Sequence, residues 1–161
     1  GEQNIEPKTM DILLGTALGT MIAFLLAVPA IILDTSRRVK NLPLLIDVYV
    51  WRGKKLSDGE IFAVGLLLHL LIGALYGFFY TLFASKGWLF ITNSPYTLAS
   101  MLIFAVASWL VLNIILLPLF GLGFFGSKEG NTVWFETRTT LLLEGAILWI
   151  IINYYQPFYF L

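Results

Sequence analysis

Four apolar runs, each about as long as a bilayer core is thick, constrain this chain more than any other feature. A helix needs about 20 predominantly apolar residues to cross the hydrocarbon layer. The runs extend from about Met10 to Leu33, Ile61 to Ala84, Tyr96 to Phe120 and Thr139 to Phe158. They are continuous rather than alternating, which selects helices over the strands of a barrel. Charge is too scarce to coat a water-facing surface. Of 161 residues, 58% are hydrophobic and 12% charged, against about 45–50% and about 25% in a soluble domain. The expected fold is all-α: an integral membrane four-helix bundle, one membrane domain over residues 1–161. The first run is not expected to be a signal peptide, because it has an acidic flank, is too long and lacks a small-residue cleavage site.

Lysine and arginine set the orientation. Arg37, Arg38, Lys40, Arg52, Lys54 and Lys55 fall between the first two runs, and Lys128 and Arg138 between the last two; only Lys8 and Lys86 fall on the other side. This asymmetry places both termini on the non-cytoplasmic side, in what reads as a prokaryotic plasma (inner) membrane. The loop 34–60 is the longest connection. Its "LPLLIDVYVW" is apolar but too short to span, and reads as an interfacial segment with Tyr49 and Trp51 at headgroup depth. The six loop cations would then face anionic lipid, although the orientation rule alone also accounts for them. Ser94-Pro95 reads as the start of the third helix, Asp58-Gly59-Glu60 as the start of the second, and Gly121, Gly123 and Gly126 as the turn after the third.

Helices in lipid associate where small residues let their backbones approach. Gly15, Gly19, Ala23 and Ala27 are four apart, and so are Gly65, His69, Gly73 and Gly77. The two stripes predict a close crossing of the first two helices, with the chain's single histidine on the packing face.

Ionisable and amide side chains at membrane depth are costly and usually face the interior. His69, Asn113 and Glu144 are the candidates, joined by Thr140 on the face of Glu144. At a rise of about 1.5 Å per residue they lie about 12, 10 and 8 Å from the cytoplasmic ends of their runs. They are thus candidates for one intramembrane polar site. A Glu–His pair there suits a proton relay or a cation site, and hydrogen bonding between helices is the structural reading of the same residues. One histidine and one carboxylate fall short of a metal set, and the chain has no cysteine. Neither a metal nor a cofactor is expected. Zero net charge offers no field for nucleic acid. No nucleophile elbow, HExxH or dinucleotide fingerprint is present, so an enzyme is disfavoured.

His69 and Tyr80 in the second run, Trp109, Asn113, Pro118 and Gly121 in and after the third, and Gly145 after Glu144 in the fourth resemble the pattern of the uncharacterised YagU-type inner-membrane proteins. The resemblance covers about Leu66 to Trp149 and implies a four-span bundle without an established activity. Asn113 stands where that pattern has a histidine, and Ala146 where another follows the glycine.

Two functions follow as expectations. The first is a small protein acting through helix contacts, as a subunit or scaffold of a membrane assembly or as a homo-oligomer, with the bilayer and other membrane subunits as partners. The second is a small proton-coupled transporter or channel using the Glu/His site.

Overall fold

A computed structural model describes residues 6–35, 50–86, 88, 97–128 and 133–155. The chain is mostly helical. Helix α1 spans Glu6–Thr35, and a short hairpin pairs β1 (Val50–Trp51) with β2 (Lys54–Lys55). Helix α2 spans Asp58–Ser85 and α3 spans Leu98–Val111. A π-helical turn, Leu112–Leu116, carries α3 into the short α4 (Leu117–Leu119), and α5 spans Val133–Ile150 with a second π-helical turn, Ile151–Tyr155, at its end.

Among the described residues, three segments are long and apolar enough to cross a membrane: Ile12–Pro29, Asp58–Phe83 and Leu98–Leu119. The fourth helix differs from the expected run. It starts at Val133, six residues before Thr139, and takes in Glu136, Arg138 and Glu144 within its 18 residues. The threonines make this possible. Thr137, Thr139 and Thr140 return their hydroxyls to the carbonyls of Val133, Phe135 and Glu136 at 2.9, 3.0 and 2.9 Å, so their polarity is absorbed by the helix itself. Arg138 lies over the rings of Trp134 and Phe135, at 5.6 and 4.7 Å from their centroids. The expected end of that run, Phe158, lies outside the described residues.

Two helix starts show their caps, and α2 begins at Asp58 as expected. Thr97 caps α3, its side chain accepting from the Ser100 amide at 3.1 Å, three residues beyond Ser94, which lies outside the described residues. Ahead of α2, Ser57 and Glu60 form a capping box: the Ser57 amide donates to Glu60 Oε1 at 3.3 Å and the Glu60 amide to Ser57 Oγ at 3.4 Å, so both orphan amides are satisfied. The described end of the loop is a hairpin, and residues 42–49 of the expected interfacial segment lie outside the described residues. Arg52 and Gly53, with φ of 50° and 79°, make its turn, the double positive φ that a two-residue hairpin turn needs. Arg37, Arg38, Lys40 and Tyr49 lie outside the described residues. Trp51 packs on Phe120, ring centroids 6.2 Å apart, which brings the hairpin to the end of the molecule where α4 finishes and α5 begins.

Packing is closest between α1 and α2, then between α3 and α5; α1 against α5 and α2 against α3 make sparser contacts. The α1–α2 contact is backbone on backbone. A Cβ on Gly19 would run into the Gly73 carbonyl, and one on Gly77 into the carbonyl of Gly15. Only glycine permits this approach, because its missing side chain is the space the facing helix occupies. Ile22, Tyr80, Leu117 and Leu148 are fully buried at the centre. Leu67, Leu71, Leu102 and Val106 are among the large apolar side chains left outside, the arrangement expected of lipid-facing surfaces.

Candidate functional site

Three groups of buried polar side chains bear on the candidate residues; of the others, Thr81 returns its hydroxyl to the Gly77 carbonyl and Ser100 to the Thr97 carbonyl, at 2.8 and 2.9 Å. The first is His69, on the buried face of α2. Its Nε2 lies 2.6 Å from the Ala23 carbonyl of α1. A carbonyl only accepts, so Nε2 is the protonated nitrogen and donates. The histidine takes the place of a glycine in the α2 stripe and ties α1 to α2 by hydrogen bond where Gly73 and Gly77 do so by contact.

The second group joins α3 to α5. The Asn113 amide donates to the Trp109 carbonyl at 2.8 Å and to Thr137 Oγ1 at 3.1 Å. One turn away the Trp109 indole donates to the Trp134 carbonyl at 2.8 Å. Asn113 stands at the second position of the π-helical turn, where the Leu117 amide reaches back five residues to the Leu112 carbonyl. Asn113 and Thr137 are both buried, and their polar atoms satisfy one another.

The third group lies where α5 meets α2. Glu144 is 2% exposed, and among the described residues its Oε1 has no hydrogen-bond partner. That oxygen is 3.6 Å from where a Cβ on Gly73 would stand. Tyr76, one turn further along α2, is 4% exposed, and its hydroxyl also has no partner among the described residues. The hydroxyl sits so close over Gly145 that any side chain there would overlap it. Two buried, unpartnered polar groups thus approach from facing helices, each against a glycine of the other. An unmatched buried polar atom costs about 1–3 kcal/mol, so two in one place are an expensive arrangement.

His69, Asn113 and Glu144 therefore do not form one hydrogen-bonded cluster. His69 turns to α1, Asn113 to Thr137, and Thr140 back into its own helix. Glu144 has a different companion, Tyr76, which the reading of polar residues passed over. The pattern holds a signal for it: Tyr76 is three residues after Gly73 and seven after His69, on the packing face of α2. Glu144 is 11 residues beyond Val133, the described start of α5, about 16 Å along the helix at about 1.5 Å per residue. Among the described residues, no three His, Asp or Glu side chains gather as a metal site would require.

Tyr76 also lines a groove between α2 and α3, a cavity of about 300 Å³. Phe79, Phe83 and Phe104 line it with Tyr76, and Ser108 and Leu141 contribute from α3 and α5. Its rings are packed together: Tyr76 meets Phe104 edge to face at 4.9 Å, and Phe83 meets Phe104 at 5.9 Å.

No known family, curated protein or solved structure matches the chain. The reading of function therefore rests on the arrangement of its own residues.

Proposed function

We propose that the chain is a small integral membrane protein that couples transport to protons, with Glu144 as the proton-binding group. One observation carries this reading: the Glu144 carboxyl is buried between helices with Oε1 unmatched. An ionisable group at membrane depth is costly and usually serves an ion or substrate path. A purely structural carboxyl would be expected to hold a partner, as Asn113 and His69 do. In this reading His69 fixes α1 to α2, and Tyr76 is the polar neighbour of the working carboxyl.

All four long helices would span. Helix α5 and its π-helical turn add 18 and 5 residues, about 34 Å at 1.5 Å each, enough for a core of about 30 Å. Glu136 and Arg138 then lie near the membrane surface and Glu144 within it. The hairpin cations Arg52, Lys54 and Lys55, with Lys128, mark the cytoplasmic end, beside anionic lipid. The first turn of α1 and the π-helical turn after α5 would lie on the opposite side.

The test is proton movement in proteoliposomes enclosing a pH-sensitive dye, driven by an imposed membrane potential. Wild-type chain is expected to carry protons, and Glu144→Gln to lose about tenfold or more of that flux while keeping its helical content and elution volume. Equal flux in both overturns the proposal. The second reading, a subunit or scaffold, draws on the small-residue stripes. In this structure the two stripes face each other within one chain, which is why it ranks second.

A further inference from the structure

The groove between α2 and α3 raises the question of what a proton-coupled site at Glu144 would carry. We propose that it seats a lipophilic organic cation, of the arylalkyl or quaternary ammonium class, whose charge is met by Glu144 when Tyr76 moves aside. The proposal rests on the reading of Glu144 as a working carboxyl and names its substrate class.

Four features of the site favour this class. The first is the wall. Tyr76, Phe79, Phe83 and Phe104 present four aromatic rings to one cavity, and aromatic rings attract cations, quaternary ammonium groups above all, through their negative faces. The second is size. A volume of about 300 Å³ is at the small end of the range for ligand pockets, about 300–1,000 Å³, so the guest is one compact ring or short chain. The third is access. Leu75, Phe79 and Val111 line the groove and are 40%, 40% and 47% exposed, so it opens on the outer, apolar face of the helices. A guest entering there arrives from the bilayer and must be soluble in it. The fourth is charge. Among the described residues, no cationic side chain lines the groove. Glu144 is not itself in the lining; the link to it is Tyr76, which lines the groove and sets its hydroxyl over Gly145, the residue next to Glu144. A neutral guest would leave that carboxyl unmatched, and an anionic one would be repelled by it. A lipophilic cation satisfies the rings and the carboxyl together. A proton and the cation would then compete for the same oxygen, which is how binding of one could release the other.

The experiment measures binding of radiolabelled benzyltrimethylammonium to the full chain in lipid nanodiscs. Its uncharged isostere, neopentylbenzene, serves as competitor. Wild type is expected to bind the cation saturably, with the isostere at least about tenfold weaker as a competitor. Glu144→Gln should weaken binding about tenfold or more, and Ser108→Trp, which fills the groove without touching Glu144, should abolish it. Tryptophan fluorescence and thermal midpoint identify a variant that has lost its fold. Absence of saturable binding, equal competition by the isostere, or full binding by folded Ser108→Trp each overturns the proposal. Should proton flux still depend on Glu144 while no cation binds, the cation assignment fails and the role of Glu144 stands. If neither depends on Glu144, both fail.

Discussion

Gly73→Ala is the smallest change that tests the α1–α2 contact. The added methyl would fall onto the Ala23 side chain and within 2.8 Å of the Gly19 carbonyl oxygen. Carbon atoms settle at about 3.5–4.0 Å, so the helices must part by about 1 Å. That displacement stretches the 2.6 Å bond between His69 and the Ala23 carbonyl beyond the usual limit of about 3.2 Å. Overpacking costs about 1–3 kcal/mol, and a lost hydrogen bond between helices in a membrane protein adds about 0.6 kcal/mol. Alanine returns at most about 1 kcal/mol through helix propensity, so a net loss of about 1–3 kcal/mol is expected. Unfolding by SDS in mixed micelles, followed by tryptophan fluorescence, measures it. Ala23→Gly in the same chain removes one of the two obstacles and should recover about half of the loss. A Gly73→Ala chain within about 0.5 kcal/mol of wild type, or a second substitution without any recovery, would falsify backbone contact as the basis of the pairing.

The remaining predictions concern α5 and the orientation. Asn113→Ala and Thr137→Val should each destabilise by about 0.6–1.7 kcal/mol, and the double variant by clearly less than their sum, because each removes the same bond; additive losses in the same SDS titration would mean that the pair does not interact. The chain has no cysteine, so single cysteines report on sidedness. Lys54→Cys and Lys128→Cys should react with an impermeant maleimide only after the cytoplasmic side is opened, and Lys86→Cys before it; labelling of all three from one side would refute the proposed topology.

Much of the helical layout was legible because apolar length is a strong signal. The parts that were hidden share a cause: polarity that is satisfied locally looks, in sequence, like polarity that ends a helix. Thr137 and Arg138 stand ahead of the expected run, yet they belong to α5: the Thr137 hydroxyl returns to the Val133 carbonyl and the Arg138 guanidinium lies over Phe135. The partner of His69 is a backbone carbonyl, an atom every residue has, so no residue type announces it. Asn113 and Glu144 share a helix pair but not a neighbour, because depth along a helix says nothing of rotation about it. Tyr76 was passed over because a tyrosine in an apolar run reads as a packing aromatic; its unmatched hydroxyl over Gly145 is visible only in three dimensions. The Arg52-Gly53 turn was obscured by the charges around it, which orientation already accounted for.

The π-helical turn in α3 has a consequence for tracing this chain's ancestry. Leu112–Leu116 holds one residue more than an α-helical turn accommodates. Deleting a single residue there would leave a span of nearly unchanged hydropathy and length. It would also swing everything before the turn by about 100°, the angle each residue occupies at 3.6 per turn. Phe104 and Ser108 would leave the groove, and the wall facing Tyr76 would be rebuilt from other side chains. Two chains with superimposable hydropathy profiles can therefore hold different cavities. Among candidate relatives, the presence of that one extra residue separates those that inherited the groove from those that inherited only the span.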